Sequence, residues 1–337
     1  MSSASEGPIR GSSVPLLTQV PRFATLLTDD GVPVEAVYEP CTAGSGAGVG
    51  AGPGARTEAV ADTPAIVVAH GFTGSVDRPA VRRAARVFSQ RAAVITFSFR
   101  GHGRSGGRST VGDREVLDLA AAVAWARALG HSRVVTVGFS MGGSVVLRHG
   151  ALYTGGAPGR GPRYGPDGFG ASDASVRVPE RERRTAEHSG AHFGAHAADT
   201  SAAAYDAYAD AVVSVSAPAR WYYRGTAPMR RLHWVVTRPS GRLVGRYGLR
   251  TRIATEEWDP VPLSPVAAVP LIAPAPLLLV HGDRDPYFPL DHPRMLADAA
   301  GEGAELWLER GMGHAENAAD DALLARIAAW ATGAPRA

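Results

Sequence analysis

Short, continuously apolar runs alternate with longer helical stretches along most of this chain. AIVVAHG (65–71), AVITFSF (93–99), VVTVGFS (134–140), AVVSVSA (211–217), PLLLVHG (276–282) and AELWLER (304–310) read as strands. PAVRRAARVFSQR (79–91), DREVLDLAAAVAWARALG (113–130), MGGSVVLRHGALY (141–153) and DALLARIAAWA (321–331) read as helices. Pro79 suits a first helical turn, and Gly130 stops the second helix. RFATLLT (22–28) and VPVEAVY (32–38), joined through Asp-Asp-Gly, form a hairpin. Strands apolar on both faces must be covered on both faces, so the expected fold is α/β: a mostly parallel central sheet with helices on each side.

Three stretches break this pattern. Residues 1–21 are expected to be a flexible tail. Residues 41–62 are rich in Gly and Ala, and residues 155–200 are rich in Gly, Pro, Ser, Arg and His with no apolar period. Neither can bury enough surface to offset chain entropy, so both are expected to be flexible insertions in surface loops. His188, His192 and His196 recur every fourth residue, but Gly190 and Gly194 interrupt them, and no metal site is expected there. Cys41 is the single cysteine, which excludes an internal disulfide and an all-cysteine metal site.

The net charge is +3, and all 35 basic residues are arginine. That usage reads as codon bias, so the high pI is no pointer to nucleic acid, and none is expected as a partner. The longest apolar stretch, Pro270 to Val280, is too short to span a bilayer and holds three prolines. The first residues lack a basic start followed by an apolar core. A soluble chain in the cytoplasm is the expectation.

The chemistry centres on Gly138-Phe139-Ser140-Met141-Gly142, which follows a strand and opens a helix. So tight a turn strains the serine backbone and leaves no room for side chains at 138 and 142. It presents the Ser140 hydroxyl at the carboxyl end of the sheet, with the Met141 N–H aimed at any oxyanion formed beside it. A serine nucleophile needs a base, and the base needs an orienting acid. His314, in GMGHAE between the last strand and the last helix, stands where it could reach Ser140. The acid is sought in HGDRDP after the preceding strand, at Asp283 or Asp285. His70 and His281, at strand ends before glycine, and His102, in a Gly-rich loop, are expected to order loops.

GFSMGG, HGDRDPYFP and GMGHAE, with HGFTGS (70–75) and RGHGRSGG (100–107), together resemble the α/β-hydrolase superfamily. The resemblance covers roughly residues 22–38, 63–153 and 205–333. It implies the α/β-hydrolase fold with an inserted cap, and a Ser-Asp-His triad without a cofactor. The H-G-x-x-D pattern selects Asp285 over Asp283, and Phe72 would give the second oxyanion N–H. The motifs look closest to the serine aminopeptidase (S33) and monoacylglycerol-lipase-like branch, and HGFTG is similar to bacterial hydroxycinnamoyl esterases. Haloalkane dehalogenases and epoxide hydrolases of this fold carry aspartate where this chain has Ser140. One departure is Ser98, where such enzymes often carry Asp two residues before Arg-Gly.

The resemblance places the core in residues 22–218 and 272–333 and the cap in 219–271. Nine arginines fall between Arg220 and Arg252, and no Asp or Glu stands between Ala211 and Thr255. Positive charge is thus concentrated on the cap, where it would meet an anionic substrate or surface, pair with core acids, or face solvent. Arg230, Arg231 and Trp234 are the expected substrate contacts. The expected activity is hydrolysis of a carboxylic ester, on a small-molecule acyl substrate. Peptide or amide cleavage, thioester cleavage, perhydrolysis and lyase chemistry could use the same residues. A binding protein of this fold that has lost the triad is the remaining alternative, and the retained Ser140, Asp285 and His314 speak against it.

Overall fold

The computed structural model describes residues 21–42, 63–153 and 207–333. Most of the expected tail, nearly all of 41–62, and the whole of 155–200 with its three spaced histidines lie outside the described residues.

Eight strands form one sheet: β1 (Arg22–Leu27), β2 (Pro33–Glu39), β3 (Ala65–Ala69), β4 (Ala93–Phe97), β5 (Val134–Phe139), β6 (Ala211–Val215), β7 (Leu277–Gly282) and β8 (Ala304–Glu309). Their order is β1-β2-β4-β3-β5-β6-β7-β8. β1 and β2 pair antiparallel, β2 joins β4 antiparallel, and every later pair is parallel. Every residue of β3 to β7 is buried. Alternation splits them between two apolar layers: in β3, Ala65, Val67 and Ala69 face one layer, Ile66 and Val68 the other.

The helices supply the covers. α1 (Pro79–Phe88) and α9 (Asp321–Gly333) close one face through Ala84, Phe88, Leu324 and Ile327. α2 (Glu115–Ala128) and α3 (Met141–Leu152) close the other through Leu119, Val123, Val145 and Leu147. After β6 the chain builds a helix pair, α4 (Ala227–Thr237) and α5 (Pro239–Tyr247), then a single turn α6 (Pro265–Ala268). α7 (Asp291–Ala300) follows β7, and the turn α8 (Ala315–Ala318) follows β8.

Register aligns the strand ends. Ala69 lies beside Gly138, and Phe139 beside Val215. The loops after β3, β5, β6, β7 and β8 therefore gather at the carboxyl edge. At the opposite edge, Glu39 pairs with Val94 near the start of β4, and the Thr42 N–H donates to the Ser89 carbonyl after α1. Thr42, Thr63, Tyr153 and Ala207, where the description breaks off and resumes, all stand at that amino edge.

Ser98 holds the place of the missing aspartate through a carboxylate from elsewhere. Its Oγ donates to Glu35 Oε1 at 2.7 Å and accepts the Val76 N–H at 3.0 Å. Glu35, on β2, also accepts the Arg104 N–H.

Candidate active site

Ser140 sits at φ 52°, ψ −112°, between β5 and α3. Left-handed backbone at a non-glycine residue costs on the order of 1–3 kcal/mol, and the surroundings enforce it. The Ser140 N–H donates to the Val215 carbonyl at 2.8 Å. A Cβ on Gly138 would run into the Gly142 carbonyl, and one on Gly142 into the Ala69 carbonyl. Both glycines are therefore steric requirements of the turn.

Three loops meet at the serine. His314 Nε2 lies 2.8 Å from Ser140 Oγ, and His314 Nδ1 lies 2.7 Å from Asp285 Oδ2. These partners fix the tautomer: Nδ1–H donates to the carboxylate, and Nε2 accepts from the hydroxyl. The other Asp285 oxygen accepts the N–H groups of Tyr287 at 2.8 Å and Phe288 at 3.1 Å. Burial alone would raise the Asp285 carboxyl, but the bonds from His314 and the two amides outweigh it and hold the group below the usual carboxylate range. The Tyr287 ring lies against the imidazole, with centroids 4.3 Å apart. Asp283 instead accepts the Gly311 N–H at 2.6 Å in an exposed turn, so of the two aspartates only Asp285 meets the histidine.

Met141 opens α3, so its N–H has no partner within the helix. Phe72 borders the same cavity as Ser140 and Met141. Its loop is fixed on three sides. The His102 Nε2–H donates to the Phe72 carbonyl. His70 Nε2 accepts the Phe99 N–H at 3.0 Å, while its Nδ1–H donates to the Gly71 carbonyl at 2.6 Å. The Gly71 N–H donates to Glu316 Oε1 at 3.2 Å. Glu316 is two residues past His314, so one buried carboxylate ties the Phe72 loop to the histidine loop. His281 Nε2–H donates to the Phe288 carbonyl and so orders the acid loop.

Sequence reasoning missed Glu316, and it missed Glu115. Glu115 accepts bonds from Ser109, Thr110, Val111 and Gly112 and shapes a cavity wall. Both are buried acids. Their only signal in the sequence is a carboxylate beside a motif or at a helix start, and their partners are fixed by tertiary folding.

The cavity over Ser140 is about 340 Å³. Aromatic rings dominate its walls, among them Phe72, Trp221, Tyr223, Trp258 and Phe288, with Leu232 and Val236 from the inner side of α4. The expected substrate contacts are corrected here. Arg230, Arg231 and Trp234 surround a separate open depression with Ala227 and Val235, on the outer side of α4, and none of the three borders the cavity. Helical spacing of three and four residues puts them together and turns them away from Leu232 and Val236. The arginines that border the cavity are Arg220, Arg224 and Arg242. Among the described residues no cluster of three metal-ligating side chains occurs, and no helix is long and apolar enough to cross a membrane.

A model of the alpha/beta hydrolase family matches residues 66–327, most of the chain. The chain belongs to the alpha/beta hydrolase family. No curated protein matches it. Solved structures share the fold of this hydrolase at low identity. The esterase Pf2001 of Pyrococcus furiosus is 18% identical, with a TM-score of 0.58 over 96% of this chain and 95% of that one. An esterase domain from a Rhodothermus marinus protein is 16% identical, with a TM-score of 0.51 over 93% and 98%. The alpha/beta hydrolase GrgF of Penicillium sp. sh18 is 15% identical, with a TM-score of 0.52 over 88% and 91%.

Proposed function

We propose that this α/β hydrolase cleaves a carboxylic ester through an acyl-enzyme on Ser140. The observation that carries the reading is the unbroken relay of 2.8 Å and 2.7 Å bonds from Ser140 through His314 to Asp285. Ser140 Oγ attacks the acyl carbonyl as His314 Nε2 takes its proton. Asp285, an acceptor on the far side, holds the imidazole in the useful tautomer and stabilises the imidazolium. The N–H groups of Phe72 and Met141 receive the oxyanion. His314 then protonates the departing alcohol, and water repeats the sequence to release the acid.

Residues 219–271 act as the cap in this reading, since α4 and the rings of Trp221 and Trp258 cover the serine. Their walls suit an apolar or aromatic acyl group. Two of the neighbours sharing the fold are named as esterases. A second reading, thioester cleavage, is favoured by Arg224 and Arg242, which border the cavity without an ion-pair partner among the described residues and would suit a phosphate-bearing leaving group.

A fluorophosphonate probe is expected to label the protein at Ser140, and Ser140→Ala to remove both labelling and turnover of p-nitrophenyl butyrate. Removing a triad serine costs on the order of 10⁶ in turnover. A variant that keeps a tenth of the activity would place the nucleophile elsewhere, and a wild-type chain that does not label would be a binding protein. Butyryl-CoA turned over faster than the matched ester would favour the second reading.

A further inference from the structure

The α4–α5 pair has two sides, and only the inner one is accounted for by the cavity. On the outer side of α4, Trp234 is 45% exposed, next to Arg230 and Arg231. On α5, Leu243, Val244 and Tyr247 are 59%, 45% and 75% exposed. Their spacing puts them on one side of the helix, away from the buried Gly241 and Gly245. Gly241 lets the helices approach closely, since a Cβ there would meet the Trp234 carbonyl, and Gly245 lets α5 pack on Ile253, which a Cβ there would meet. The result is a packed, two-helix platform with Trp234, Leu243, Val244 and Tyr247 exposed on it.

The arginines of this segment are mostly unpaired. Of the nine arginines between Arg220 and Arg252, only Arg220 has a carboxylate partner among the described residues, Asp291 at 2.9 Å. The guanidinium groups of Arg230 and Arg242 donate to main-chain carbonyls, and that of Arg246 lies near the Tyr247 ring. The cluster is therefore not neutralised by the acids of the core.

We propose that the outer face of α4 and α5 docks on an anionic lipid surface. Aromatic and aliphatic groups ringed by arginine fit the boundary between headgroups and acyl chains, where indole and phenol rings sit and guanidinium groups reach phosphate. Aliphatic groups such as Leu243 and Val244 have no role in holding nucleic-acid phosphates, and a second copy of this chain would bring a second uncompensated cluster of arginines against the first. Docking would set the cavity, lined by the inner side of α4, close to the bilayer. The proposal does not depend on which acyl bond is cut.

The test is sedimentation of the full chain with vesicles of phosphatidylcholine alone and of phosphatidylcholine mixed with phosphatidylglycerol. Partition is expected to the mixed vesicles and to fall as salt rises. Replacing Arg230, Arg231 and Arg238, the exposed arginine at the junction of α4 and α5, together with Gln is expected to weaken it by about 100-fold. Trp234→Ala with Tyr247→Ala should remove the binding that survives high salt. Unchanged thermal midpoints in both variants report an intact fold. Three outcomes overturn the proposal: no partition to the mixed vesicles, equal partition to both vesicle types, or a dimer that these substitutions dissociate.

Discussion

At the scale of single residues, the distinction that matters most is between two aspartates two positions apart. The Asp285 side chain is buried, holds His314 and accepts two amides, whereas Asp283 serves an exposed turn. Asp285→Asn is expected to reduce ester turnover by about 10⁴, since an amide there misorients the imidazole. Asp283→Asn should leave turnover within a few-fold of wild type. Steady-state kinetics on both variants decide it, and equal losses would reverse the assignment. The residues of the relay were legible in the sequence because each sits in a short motif beside a strand end. Glu316, Glu115 and Glu35 were not, since each meets its partners only through folding. The side of a helix on which an arginine falls was equally hidden: Arg230 and Arg231 look like cavity residues only until the helix turns them outward.

Elements were more legible than side chains, because an apolar run long enough to cross the sheet reads the same in any context. The differences are at ends. The expected helix over 79–91 stops at Phe88, where Ser89 turns back to donate its hydroxyl to the Arg86 carbonyl. The closing helix runs on to Gly333. The α4–α5 pair was expected only as an undivided cap, since its outward apolar face blurs the usual amphipathic period. The β5–α3 turn leaves no room for a Cβ at Gly138 or Gly142. Gly142→Ala should destabilise the chain by about 2–4 kcal/mol through overpacking, or prevent soluble expression. Gly303→Ala meets nothing within 4 Å and should be close to neutral. Urea midpoints of the two variants test this, and a tolerated Gly142→Ala would mean that the turn can relax.

At the scale of the whole molecule, buried histidines set the response to acid. Burial pushes His70 and His149 down to about 3, and His292 to about 4. The folded chain keeps all three neutral, while the unfolded chain protonates them below their ordinary value of 6.5. The unfolded state then binds more protons, so stability falls as pH drops from there toward the folded values. Each fully buried histidine adds a slope of up to about 1.4 kcal/mol per pH unit. Asp285, held low, keeps its contribution until the pH falls below the ordinary carboxylate value. Asp118, which burial pushes up to about 7, works the other way: the folded chain alone takes up its proton, which offsets one of the three histidines and leaves the downward trend to the other two. Urea midpoints are expected to fall from about pH 6 to 4.5. A flat midpoint throughout would mean that these imidazoles gain solvent in the folded chain.

The sheet also gives the molecule two poles. Thr42, Thr63, Tyr153 and Ala207 all stand at the amino ends of the parallel strands, whereas Ser140, Asp285 and His314 stand at the carboxyl ends. Whatever length of chain joins the first two of those residues, or the second two, starts and finishes on the side turned from the cavity. The fold therefore separates growth from chemistry. A reporter domain spliced into either connection, or a support coupled through it, would begin from the back of the molecule and leave the mouth of the cavity facing outward.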